Sequence, residues 1–314
     1  MKISVINPYT YGRIIDLYNS IIPRDDVALE EELIDDIYRV LTKQEQMVIH
    51  DDHWAGFIIL FQKGEKVTVN PWVFGGMPIT AKSKVLLKSE LLTQAIDYCK
   101  THGIKKIISV QNRNALKDHN LFIDNGFTYD YDYCDMELKL TDINLSSPEA
   151  HGSRLSPKTK ILNINDAKLI DLKQLYHMAF QASDAWFYKD QTADEKRAFF
   201  DFLGYAEALD EPGSICVYHE EQLIGFTFVI GTDEPDVKHF SCMCVSPDFR
   251  GKGFGRIMLD EIIVELKKQH VKKIALGTEA QMQAFALYQS RGFKVTGTSS
   301  YYHMLLTDYE EGFS

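Results

Sequence analysis

The sequence predicts an α/β chain with mixed sheets, built as two tandem copies of one fold. Three observations carry that prediction. Residues 237–245 alternate β-branched and aromatic side chains as a strand does, a glycine-rich turn follows at 250–256, and Ile257, Met258, Ile262, Ile263 and Leu266 then recur at helical spacing. The pattern of the first half begins again in the second: Ile3, Asn7, Leu17 and Tyr18 return 158 positions later as Ile161, Asn165, Leu175 and Tyr176. Between the halves, residues 146–157 have no periodicity and many turn formers, as a linker does. The expected division is 1–142, a linker at 143–160, and 161–314.

The elements follow in order. Residues 3–6 read as a strand, followed by helices through Ile14, Leu17, Tyr18 and Ile21 and over 30–41, where Leu33, Ile34, Ile37 and Val40 share a face. Strands are expected at 46–50, 54–61 and 66–73. A long helix at 82–102 stops at Gly103, the residue type that most readily takes the left-handed turn closing a helix. A strand at 105–110, a short helix near 116–125 and a strand at 129–140 complete the first copy. In the second copy, Leu223-Ile224-Gly225-Phe226 echoes Trp54-Ala55-Gly56-Phe57, Arg291-Gly292-Phe293 echoes Asn125-Gly126-Phe127, and 273–277 reads as a strand.

Composition narrows the function. The chain has 314 residues, 45% of them hydrophobic, enough for a core in each of two domains. A net charge of −11 argues against nucleic acid as a partner, because that affinity comes largely from cationic contacts to phosphate. No apolar run approaches the roughly 20 residues needed to span a bilayer, and the first residues lack a signal-peptide core. Five cysteines make no disulfide framework; reduced thiols and a cytoplasmic location are expected. Cys242 and Cys244 share a strand face without a histidine partner, so no metal is expected.

The turn is where the chemistry concentrates. A helix start leaves its first N–H groups without internal partners and adds positive partial charge. In Arg250-Gly251-Lys252-Gly253-Phe254-Gly255-Arg256, glycines allow close approach of backbone to ligand, and three cations supply full charge. Such a turn suits a pyrophosphate. It is neither a Walker loop nor Gly-x-Gly-x-x-Gly. It resembles the Arg/Gln-x-x-Gly-x-Gly/Ala signature of the GNAT N-acetyltransferases. Ala284-Phe285-Ala286-Leu287-Tyr288-Gln289-Ser290-Arg291-Gly292-Phe293 resembles the second signature of that family, in the right order and at the right distance. The two-copy layout, with the CoA turn kept in one half, is similar to that of the mycothiol synthases. In the first half, the stretch matching the turn, residues 73–80, has no arginine and no Gly-x-Gly, and Phe122 stands at the tyrosine position. That half is expected to be a degenerate copy.

The resemblance implies two tandem GNAT acyl-CoA N-acyltransferase folds, acetyl-CoA as co-substrate, and a sheet whose fourth and fifth strands splay around it. Carried over by position, the backbone of Arg250, Gly251, Lys252, Gly253, Phe254, Gly255 and Arg256 would hold the pyrophosphate. Met243, Cys244 and Val245 would pair with the pantetheine amides as an added strand would. Gln281 and Ala284 open the second signature on the cofactor side, and Tyr288 would serve the departing sulfur. For the proton of the acceptor amine the residues offer His239, placed by period two on the face of Ser241, Met243 and Val245, or Glu279 after the fifth strand. An aromatic cluster beside an acid, Asp184, Trp186 and Tyr188, suits an amine-bearing substrate or the domain's own core in equal measure. The expected activity is acetyl transfer to a primary amine, of a small molecule, by direct attack in a ternary complex. The alternatives are a CoA-liganded regulatory protein without turnover, a protein N-terminal or lysine acetyltransferase, and aminoacyl transfer from charged tRNA.

Overall fold

A computed structural model of the protein describes residues 2–5, 47–50, 56–73, 81–112, 119–143 and 156–306. The expected helices through Ile14 to Ile21 and over 30–41, residues 74–80 of the stretch matching the turn, and residues 144–155 of the expected linker at 143–160 lie outside the described residues. The first half contains β1 (Lys2–Val5), β2 (Met47–His50), β3 (Gly56–Lys63), β4 (Lys66–Val73), α1 (Ala81–Thr101), β5 (Lys106–Asn112), α2 (His119–Asp124) and β6 (Thr128–Lys139). The second contains β7 (Thr159–Asn163), α3 (Leu169–Gln181), α4 (Trp186–Lys189), α5 (Ala193–Phe202), α6 (Tyr205–Ala208), β8 (Ile215–His219), β9 (Gln222–Gly231) and β10 (Val237–Val245). It ends with α7 (Phe254–Lys268), β11 (Lys273–Glu279), α8 (Gln283–Ser290) and β12 (Lys294–Leu305).

The chain packs as two compact units, one of residues 1–130 with 299–314 and one of residues 131–298. The first unit's sheet runs β1-β2-β3-β4-β5 and is completed by residues 299–305 of β12, antiparallel to β5. β4 and β5 run parallel, paired from Lys66 to Thr68. Gly64, at φ +59, opens the tight turn between β3 and β4, where glycine relieves the steric cost of a positive φ. α1 buries Leu91, Leu92, Ala95 and Cys99 against Ile58, Leu60, Val67 and Val69 of the sheet, and it stops before Gly103 at φ +68.

The second unit repeats this plan as β7-β8-β9-β10-β11, completed by residues 133–139 of β6 antiparallel to β11. The sixth strand of each sheet therefore comes from the other half of the sequence. The expected breaks at 142/143 and 160/161 differ from these compact units. Alternation fixes which face of a strand is buried and leaves its neighbour unspecified. One side of the second sheet packs Val229, Phe240, Ile274 and Leu276 against Leu259, Ile262 and Leu266 of α7. The other packs Phe226, Phe228, Cys242 and Cys244 against Leu172, Leu175 and Tyr176 of α3 and Phe200 of α5.

α8 is pinned to α7 by charge. The carboxylate of Asp260, 1% exposed, meets Arg291 at 2.6 Å through both Nε and Nη2. Breaking a buried pair by removing one partner strands the other charge in a poor solvent. Arg291→Ala is expected to lower unfolding stability by about 3–5 kcal/mol in urea denaturation, against a far smaller loss for the double variant Asp260→Leu/Arg291→Leu. Equal losses in the two proteins would contradict a charge-based role for the pair.

Candidate functional site

The site begins where two strands part. β10 and β11 run parallel with paired residues only from Val237 to His239 and from Lys273 to Ala275. Beyond that point the edge of β10 from Phe240 to Val245 has no strand partner on the β11 side among the described residues. A bulge sits at the same place. Phe240 opposes Val229 and Cys242 opposes Phe228, so one extra residue, Ser241, stands in β10. A bulge bends its strand and strengthens the local twist, which turns β10 away from β11.

The bulge also corrects the expected position of His239. Simple alternation puts His239 on the face of Met243 and Val245, but the extra residue reverses the faces beyond it. Met243 and Val245 pack toward Met258 of α7. His239 pairs with Ile230 and shares the α3 side with Cys242 and Cys244. Burial lowers its pKa below the ordinary imidazole value, opposed by the charge of Asp135.

Beside the unpaired edge, the turn of residues 250–256 adopts the geometry its glycines allow. Gly251 and Gly253 have φ +72 and +88, and Gly253 caps α7. The backbone N–H groups of residues 251–256 have no acceptor among the described residues. They lie at the positive end of a helix of 15 residues. A cavity of about 660 Å³ opens over them. Its walls come from Met243, Cys244 and Val245, from the turn, from Gln281, Ala284 and Leu287, and from Ala182, Ser183 and Asp184 after α3. Unspent donors at a helix start, an unpaired strand edge and a cavity joining them fit a long ligand carrying phosphate and amide groups, as CoA does.

Arg250 stands in the cavity wall, but its charge is spent inside the protein. Its guanidinium donates to the carbonyls of Val245 at 3.3 Å, Ala182 at 2.8 Å and Ala179. The last two are carbonyls at the C-terminal end of α3, where a cation is favoured and helical partners have run out. Lys252 lies over the Phe249 ring at 4.8 Å and is not part of the wall, whereas Arg256 is exposed and lines it.

The remaining expected residues divide by what they touch. Tyr288 sits on α8 with 7% of its surface exposed, its ring edge-on to Phe240, and its hydroxyl has no partner among the described residues. Burial raises its phenol well above the ordinary tyrosine range. Glu279, 2% exposed, accepts the N–H groups of Trp186 at 2.9 Å and Phe187 at 2.8 Å, and Gln281 Nε2 at 2.6 Å. Burial raises its pKa, against those backbone bonds. Both oxygens are occupied, so Glu279 anchors the loop after α3, and Gln281 bridges that anchor to the cavity. Tyr188 is core: it is 5% exposed, and its hydroxyl lies 3.1 Å from His177 Nδ1. Trp186 contributes its backbone to the Glu279 anchor, and Asp184 lines the cavity while pairing with Lys189 at 2.9 Å. The contribution of Ala179, Ala182 and Ser183 carries no sequence signal, since small residues at a helix end are common.

Residues 171–293 match the family model of the acetyltransferase (GNAT) family. Mycothiol acetyltransferase of Propionibacterium freudenreichii subsp. shermanii is 28% identical over 166 residues, 51% of this chain and 51% of that protein. The chain thus spans about half the length of that curated relative. In structure, a GCN5-related N-acetyltransferase from Sphaerobacter thermophilus aligns over 97% of this chain and 95% of its own, with TM-score 0.61 and 15% identity. A tandem GNAT protein from the clavulanic acid biosynthesis pathway aligns over 97% and 98%, with TM-score 0.56 and 10% identity. At those identities the likeness is one of fold.

The three bonds of Arg250 predict a stability effect in the absence of any ligand. Arg250→Lys keeps the charge but loses the planar fork, and is expected to cost about 1–3 kcal/mol in ligand-free unfolding. Unchanged ligand-free stability, with weakened ligand binding alone, would place the guanidinium on the ligand instead.

Proposed function

We propose, from the match of residues 171–293 to the acetyltransferase (GNAT) family model, that this chain transfers an acetyl group from acetyl-CoA to a primary amine of a small molecule, by direct attack in a ternary complex. The observation that carries this reading is the coincidence of unspent N–H donors at residues 251–256 with the unpaired edge of β10, both opening on one cavity. The backbone of the turn would hold the pyrophosphate, and the edge at Met243 to Val245 would take the pantetheine amides as an added strand. Bound there, acetyl-CoA would supply an activated acyl carbonyl and a thiol leaving group.

The chain's own residues divide the proton work. Tyr288 holds its proton firmly, because burial disfavours the phenolate, and can donate a hydrogen bond at Oη. His239 is kept neutral by burial, ready to accept a proton at a ring nitrogen. Cys244 lines the cavity, yet burial raises its thiol well above the ordinary range. A thiol held protonated is a poor nucleophile, which favours direct transfer over an acyl-enzyme. Glu279 and Arg250 hold the walls in place through hydrogen bonds to the loop after α3 and to the end of α3.

The test is release of free thiol from acetyl-CoA in the presence of amines. Tyr288→Phe is expected to lower kcat by about 10²-fold, the lower end for a general acid, with KM for acetyl-CoA unchanged. Full activity in that variant would remove the phenol from the reaction, and thiol release independent of added amine would contradict the transfer reading.

A further inference from the structure

On the α3 side of the second sheet, strand register gathers polar side chains around a low floor. His239 pairs with Ala275, and Ala275 with Glu137; Gly277 pairs with Asp135, and Glu279 with Tyr133. Partners across a ladder point to one face, so His239, Asp135, Glu137 and Tyr133 surround Ala275 and Gly277, the smallest residues available. Glycine inside a strand weakens it and marks close approach by another group. A Cβ on Gly277 would run into the Tyr133 ring, and one on Gly297 of β12 would meet Asp135 Oδ2 at 2.9 Å. Two strand glycines therefore make room for two polar side chains of β6.

The charges in this trough are unequal. Glu137 is paired with Lys273 at 3.2 Å. Asp135 is exposed, and its carboxylate has neither an ion pair nor a hydrogen bond among the described residues. The ring of His239, half-buried, likewise has no hydrogen-bond partner there.

We propose that this trough receives the acceptor as a cation: the ammonium group binds the Asp135 carboxylate and passes one proton to a ring nitrogen of His239, leaving the lone pair on the amine nitrogen. This deepens the acetyltransferase reading and rests on it. It gives β6, a strand from the first half of the sequence, a direct part in acceptor recognition, and selects cationic amines over neutral nucleophiles such as alcohols.

The experiment compares wild type with Asp135→Asn and Asp135→Glu, using acetyl-CoA with n-butylamine, 1,4-diaminobutane, glucosamine and lysine as acceptors. Asp135 is exposed, so the variants should fold, and thermal unfolding checks that they do. Loss of a charge-assisted hydrogen bond is expected to raise KM for the preferred amine on the order of tenfold or more in Asp135→Asn, with partial recovery in Asp135→Glu and unchanged KM for acetyl-CoA. An unchanged amine KM in Asp135→Asn would overturn the trough while the transferase reading stands. Acetyl-CoA binding with no amine acetylated by wild type would overturn both.

Discussion

The parting of β10 from β11 is the constraint on which the rest of the second unit depends. Backbone groups are obligatory hydrogen-bonding partners, and a strand that leaves its neighbour exposes donors and acceptors that something must satisfy. Here the separation starts after His239 and Ala275, and the extra residue Ser241 twists β10 away at that point. An edge opened in the middle of a sheet, rather than at its margin, creates a slot with backbone on one wall. The same bulge sends His239 to the α3 side while Met243 and Val245 face α7. One inserted residue thus sets both the opening of the slot and the side of the sheet on which His239 stands.

Two long-range contacts keep that slot in shape. Arg250 fastens the turn and the end of β10 to the last carbonyls of α3, and Glu279 fastens the following loop to the end of β11. Each puts its charge at the helix end that favours it, the cation at a C-terminus and the carboxylate at an N-terminus. The consequence is functional. With Arg250 occupied internally, backbone N–H groups and Arg256 would hold phosphate under the proposed function, and α3, the turn and the loop of residues 182–189 are linked through the hydrogen bonds of Arg250 and Glu279.

Much of this was legible in the sequence, and the part that was not has a common cause. The strand, turn and helix around Arg250–Arg256 could be read because glycine spacing and hydrophobic period are local properties. α1 and its stop at Gly103 were legible for the same reason. The bulge at Ser241 left no trace, since Phe240, Cys242 and Cys244 continue an alternation that looks regular. Glu279 reads as a free carboxylate until the structure shows Trp186 and Phe187, more than ninety positions away, occupying it. The completion of each sheet by a strand from the other half is invisible for a related reason: hydrophobic alternation in residues 129–140 says that a strand forms and which face it buries, without naming its neighbour.

The central claim, that the open edge and the turn form one CoA site, is tested most directly by thermal unfolding with and without acetyl-CoA, on wild type and Gly253→Asp. A Cβ at Gly253 meets nothing within 4 Å, so the variant is expected to fold at the cost of a strained positive φ, while its carboxylate places a negative charge where phosphate would sit. Ligand at about 100 times its dissociation constant should stabilise wild type by roughly 2.7 kcal/mol. The account predicts that shift in wild type and its loss in Gly253→Asp. No shift in wild type, or an equal shift in both proteins, would contradict it.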